Sequence, residues 1–157
     1  MIKYLDKLGG VSMFKKILVP VDGSETSWKA LLEARTMAEK FDGELVVISV
    51  IQPYNNAALL AVPLDVNTIT NGNGELEKIG NRVLEMAQEH MEGSNVKVEY
   101  LLEVGHPSER IIAHAKKSNC DMIVIGSRGL SGIAEFFLGS VSSKVSQYST
   151  VPVLIVK

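Results

Sequence analysis

The sequence predicts an α/β protein with a doubly wound, five-stranded parallel sheet. Three observations carry this. Short apolar runs of strand length recur along the chain. Segments with apolar residues three and four apart lie between them, and polar or glycine-containing breaks separate the two kinds. Strands that are apolar throughout must be covered on both faces, as crossover helices cover a parallel sheet. Right-handed crossovers make double winding the economical arrangement.

The first strand is read over Lys15–Val21, a branched apolar run broken by Asp22-Gly23-Ser24. A helix follows with Trp28, Leu31, Ala34, Ala38 and Phe41 on one stripe, Ser24 as its N-cap and Asp42-Gly43 as its stop. Glu44–Val50 is the second strand. Gln52–Gly74 shows no clear period and reads as a connection, longer than the roughly 12–15 residues that structureless loops usually reach. A second helix is marked by Leu76, Ile79, Val83, Leu84, Ala87 and Met91, and a third strand by Val96–Val104. Gly105-His106-Pro107 turns the chain into a helix carrying Ile111, Ile112 and Ala115, with Pro107 suited to its first position. Asp121–Ile125 is the fourth strand, Gly126–Gly139 a glycine-punctuated loop, Ser140–Tyr148 a short helix and Val151–Val156 the closing strand.

The chain has 157 residues, room for one ordinary domain, and its 46% apolar and 22% charged residues suit a globular one. Sixteen Lys and Arg against eighteen Asp and Glu leave a net charge of −2, which gives no bias toward nucleic acid or an anionic membrane. Cys120 stands alone, so an intrachain disulfide and a cysteine-rich metal site are excluded. The histidines show no metal-binding spacing, and no metal ligand is assigned. No apolar run approaches the ~20 residues of a membrane span, and Met1–Ser12 lacks the pattern of a signal peptide. The expected compartment is the cytoplasm. Residues 1–12 are weakly patterned and read as an N-terminal extension to a domain over 13–157, with Met13 an alternative start.

Four of the thirteen glycines lie between Gly126 and Gly139, after a strand and up to the start of a helix. In open α/β sheets ligands sit beyond the carboxyl ends of the strands, where the winding reverses. Glycines there let backbone N–H groups approach phosphate oxygens, and the following helix adds its free N–H groups. Ser140, Ser142 and Ser143 add hydroxyls near its first turn. The P-loop G-x-x-x-x-G-K-[ST] and the dinucleotide G-x-G-x-x-G are both absent.

What stands instead is Gly126-x2-Gly129-x9-Gly139-Ser140. With Val19-Pro20-Val21-Asp22-Gly23-Ser24, the Gly105-x-Pro107 turn and the Val151-Pro152-Val153 close, it resembles the ATP-binding branch of the universal stress protein family from Phe14 to Lys157. The resemblance implies a Rossmann-like adenine nucleotide-binding fold with strand order 3-2-1-4-5. It implies ATP as ligand, with Mg²⁺ or Mn²⁺ on the phosphates, in a homodimeric stress-response regulator. It places Pro20, Val21 and Asp22 on the adenosine side and Val50 against adenine. Ile125, Gly126, Arg128 and Gly129 frame ribose and phosphates, and Gly139, Ser140, Val141 and Ser142 hold the phosphates. A carboxylate such as Asp22 accepts only, which suits ribose hydroxyls or the adenine amine; Arg128 can pair with phosphate.

Plainer readings stand beside these. Ser140 can be a helix cap, Gly139 a tight junction, Asp22 a turn acid and Arg128 a solvated loop residue. Two other functions compete: slow ATP hydrolysis, for which the glycine loop offers no base by spacing except Glu135, read as exposed, and a nucleotide-free dimerisation module. The resemblance puts the last strand, Val151–Val156, at a sheet edge, apolar and almost uncharged, where a second copy can pair unless Met1–Ser12 covers it.

Overall fold

The computed structural model describes residues 14–53, 66–130 and 138–157, with side chains of the second helix described from Gly74 onward. The elements are β1 (Lys16–Pro20), α1 (Glu25–Phe41), β2 (Glu44–Ile51), α2 (Val66–His90), β3 (Lys97–Val104), α3 (Pro107–Lys117), β4 (Met122–Gly126), α4 (Ser140–Tyr148) and β5 (Val153–Val156). All five strands are parallel, in the order β3-β2-β1-β4-β5. The expected strand order is therefore present.

Alternation along the strands builds two cores. Ile17 and Val19 of β1, Leu45 and Val47 of β2 and Val124 of β4 face α1 and α2, meeting Leu31, Ala34, Val83 and Ala87. Leu18, Val46, Ile48, Ile123 and Ile125 face the other way, toward Ile111 and Ala115 of α3 and Val145 of α4. Both faces are covered, which is why the strands read as continuous apolar runs.

Three details depart from the sequence reading. α2 begins at Val66, so Val66–Gly74 is helix, while residues 54–65 of the expected connection lie outside the described residues, as does the 1–12 extension. Asparagine and glycine lower helix propensity, which hid this first part of α2. Ile79 is 59% exposed, and the buried stripe of α2 passes through Gly80 instead. A Cβ on Gly80 would lie 2.8 Å from Ile51 Cγ2 and also strike Leu102, so the glycine lets the helix sit down on β2 and β3. At the end of α1 the left-handed residue is Asp42, at φ 52° and ψ 51°, a conformation a short polar side chain tolerates. Gly43 is required by the close passage of the Phe14–Lys15 backbone.

The reversal of winding lies between β1 and β4. β1 pairs with β2 as far as Pro20, but with β4 only at Ile17 and Leu18. Beyond Leu18 the two strands part, and a crevice opens at their carboxyl ends.

Candidate functional site

That crevice is a cavity of about 560 Å³, within the range of small-molecule sites. Its first side comes from the end of β1. Pro20 and Val21 are buried, and Val21 N–H donates to Ile48 O at 2.9 Å. Asp22 is exposed and closes a local turn: its Oδ1 accepts from Ser24 N–H at 3.0 Å and from Ser24 Oγ at 2.5 Å. Gly23 follows at φ 90°, a turn that favours glycine. Asp22 is thus a turn acid through Oδ1, while Oδ2 lies 2.6 Å from where a Cβ on Gly129 would be.

The second side comes from β4 and the loop after it. Ile125 and Gly126 are buried and Arg128 is half-buried. Gly126 lies against the first turn of α1, where a Cβ would come within 2.7 Å of the Thr26 carbonyl carbon and 2.9 Å of Ser27 N. Lys29, and more weakly Arg128, hold the Glu25 carboxyl of α1 below its ordinary range.

The third side is the start of α4. Gly139 is its N-cap, with no side-chain bond, so Ser140 is the first helical residue and not the cap. Gly139 N–H donates to Ser127 O at 2.8 Å. The Ser142 hydroxyl points back, toward Ser127 O at 2.8 Å and Gly139 O at 3.1 Å. The N–H groups of Ser140, Val141 and Ser142 have no partner among the described residues, the usual condition of an uncapped first turn. Ser127 Oγ, beside the loop, is buried and likewise without a partner among them.

All twelve residues singled out from the sequence border this one cavity: Pro20, Val21, Asp22, Val50, Ile125, Gly126, Arg128, Gly129, Gly139, Ser140, Val141 and Ser142. Sequence reasoning missed Ile48, Pro107 and Ile111 on the apolar wall, Ser27 behind the β1 loop, and Leu130 and Leu138 at the mouth. Ile48 shares a strand face with Val50, and Pro107 and Ile111 are one helical turn apart, so periodicity could have found these three. Residues 131–137 of the glycine loop lie outside the described residues.

A family model described as the Universal stress protein family matches residues 13–157. The chain belongs to the universal stress protein family. Among its relatives, Universal stress protein YxiE of Bacillus subtilis is 40% identical over 151 residues, covering 92% of this chain and all of that one. The solved structure of MJ0577, a universal stress protein of Methanocaldococcus jannaschii, superposes with a TM-score of 0.78 at 30% identity, covering 92% of this chain and 96% of that one. A universal stress protein solved in complex with cAMP gives a TM-score of 0.67 at 26% identity, covering 91% and 97%. The match to the universal stress protein model spans every described element of the chain. Among the described residues no helix is long and apolar enough to cross a membrane, and no group of three or more His, Cys, Asp and Glu could hold a metal ion.

Proposed function

We propose that the cavity binds ATP, with Mg²⁺ or Mn²⁺ carried on the phosphates, in a homodimeric cytoplasmic protein that regulates a stress response. The observation that carries this is the division of one cavity into two chemistries at the switch point of the sheet. Pro20, Ile48, Val50, Pro107 and Ile111 make an apolar wall suited to a purine ring. In the same cavity, the Gly126–Gly129 backbone, the Arg128 guanidinium and the unpartnered N–H groups of α4 suit phosphate oxygens. Asp22 Oδ2 stands at the Gly129 side of the cavity, where a carboxylate suits ribose hydroxyls and repels phosphate. The cAMP complex of a related protein supports an adenine nucleotide.

The fit extends to the metal. Arg128 is the one cationic side chain among the described lining residues, too little to neutralise a triphosphate, so a divalent ion would ride on the nucleotide itself. Binding without dedicated turnover is supported by Asp22, the one carboxylate among the described lining residues, whose Oδ1 is held by Ser24, while Glu135 lies outside the described residues. Titration calorimetry with MgATP tests the proposal. A dissociation constant on the order of micromolar, about −8 kcal/mol, is expected. No heat and no rise in melting temperature at millimolar MgATP would sink it.

The dimer rests on β5. Ile123 N–H donates to Pro152 O at 2.9 Å and Ser127 N–H to Val156 O at 2.7 Å. By strand alternation Val153 and Ile155 turn their backbone groups to the open edge. An antiparallel copy with its two-fold axis at Leu154 would let Val153 and Ile155 exchange four hydrogen bonds. Leu154, 36% exposed, would then meet its own copy.

A further inference from the structure

We propose that Thr26 is a positioning residue for the phosphate half of the cavity, an inference that rests on the proposed nucleotide site. Thr26 lies on α1, outside the cavity lining, yet its Oγ1 donates to Arg128 O at 2.5 Å across 102 residues of chain. The Arg128–Gly129 peptide lies between two residues that line the cavity, and its carbonyl is the oxygen that Thr26 holds. The direction of that carbonyl sets the direction of the Gly129 N–H, because the peptide is planar. Thr26 therefore aims a phosphate-facing donor without touching the ligand.

A second contact fixes the same loop from the same residue. Gly126 passes so close to Thr26 that a Cβ there would lie 2.7 Å from both the Thr26 carbonyl carbon and Thr26 Oγ1. The loop is thus seated on Thr26 at Gly126 and tied to it at Arg128.

No neighbouring hydroxyl can do this work while the β1 turn is intact. Ser24 Oγ lies 3.3 Å from Arg128 O, but it has one proton, and Asp22 Oδ1 is nearer at 2.5 Å. If the Thr26 hydroxyl is removed, Ser24 can reach Arg128 O only by releasing Asp22, which would disturb the ribose side of the cavity.

The test compares Thr26→Val, which keeps the shape and loses the hydroxyl, with Thr26→Ser, which keeps the hydroxyl. Thr26→Ala serves if the valine variant does not fold. MgATP and adenosine are titrated calorimetrically into each, and each apo protein is melted. Thr26→Val should weaken MgATP roughly five- to tenfold, the loss of one hydrogen bond. Adenosine should change less than MgATP, Thr26→Ser should rescue MgATP to within about twofold, and the Thr26→Val loss should exceed what its apo melt explains. A Thr26→Val protein that binds MgATP as the wild type does, or that loses MgATP and adenosine equally, overturns the inference and leaves the nucleotide site standing. A wild-type protein that binds no MgATP overturns the proposed function and this inference with it.

Discussion

Gly126, Gly129 and Gly139 should separate into different roles when each is replaced by alanine. At Gly126 the new Cβ meets backbone: the Thr26 carbonyl carbon at 2.7 Å and Ser27 N at 2.9 Å. Neither can move without shifting the first turn of α1 away from β4. Overpacking of this kind destabilises by about 1–3 kcal/mol, which for a chain of this size lowers the melting temperature by roughly 3–10 °C. At Gly129 the new Cβ meets Asp22 Oδ2 at 2.6 Å. That oxygen ends an exposed side chain that can swing aside at the cost of its Ser24 contacts, so stability should fall less than at Gly126 while the carboxylate leaves its place and MgATP binding falls. At Gly139 the nearest atoms are at 3.4 Å, ordinary contact, and φ −62° and ψ 158° suit alanine. There the cost is that of alanine at an N-cap, about 1 kcal/mol or less. Thermal melts by circular dichroism and MgATP titrations on the three variants decide the matter. Gly126→Ala melting like wild type while Gly129→Ala melts several degrees lower would refute the reasoning.

Leu154→Lys should convert a dimer to a folded monomer in sedimentation at micromolar protein, since it sets two lysines face to face on the two-fold axis; a dimer that persists removes β5 as the interface. Burial pushes the Cys120 thiol up to about 11, and the side chain is 4% exposed. Ellman's reagent at pH 8 should therefore leave the native protein largely unreacted and titrate one thiol after guanidinium unfolding; prompt native reaction would contradict this. Lys97 first, then Lys16, holds the Glu44 carboxyl below its ordinary range, through contacts at 2.8 and 3.1 Å. A depressed folded value gives stability that is present above the unfolded value and lost as pH falls through the folded one. Glu44→Gln should thus melt lower than wild type at pH 7, by less than about 1 kcal/mol for so exposed a pair, and match it in strong acid; a gap that widens in acid would reverse the sign.

The sheet was legible because burial on both faces keeps β1, β2 and β4 almost wholly apolar. Ile17, Leu18 and Val19 are all fully buried, and Ser49 near the end of β2 is the one polar side chain buried within these three strands. Helices were legible where their stripe was apolar and lost where it was not. Gly80 holds a core position of α2 that hydrophobicity cannot reveal, and its apolar neighbour Ile79 drew the stripe one residue out of place. The crevice was legible through glycine and serine spacing, since close backbone approach demands glycine and leaves a mark in the sequence. The apolar wall was less so. Ile48 and Ile111 serve the core and the cavity at once, and nothing in an isoleucine tells which. Thr26 left no mark, because its partner is a backbone carbonyl 102 residues away.

Composition and site point in opposite directions on charge, and the geometry reconciles them. A net charge of −2 argues against polyanions such as nucleic acid, whose many phosphates respond to the field of a whole surface. A single nucleotide responds to a field a few ångströms across. In the proposed site that field would come chiefly from peptide N–H groups, which carry no formal charge and so vanish from any count of lysines and arginines. Three of them open α4, and the glycines of the preceding loop let others approach the same space. Such donors are fixed by the fold before a ligand arrives, so little ordering is needed on binding. They also depend on one another. Gly139 N–H and the Ser142 hydroxyl both bind Ser127 O, and Ser127 N–H binds Val156 O. The first turn of α4 is thereby tied to the last strand through one peptide on each side of Ser127. Substitutions in β5 that displace Val156 should reach the cavity even though β5 contributes nothing to its lining.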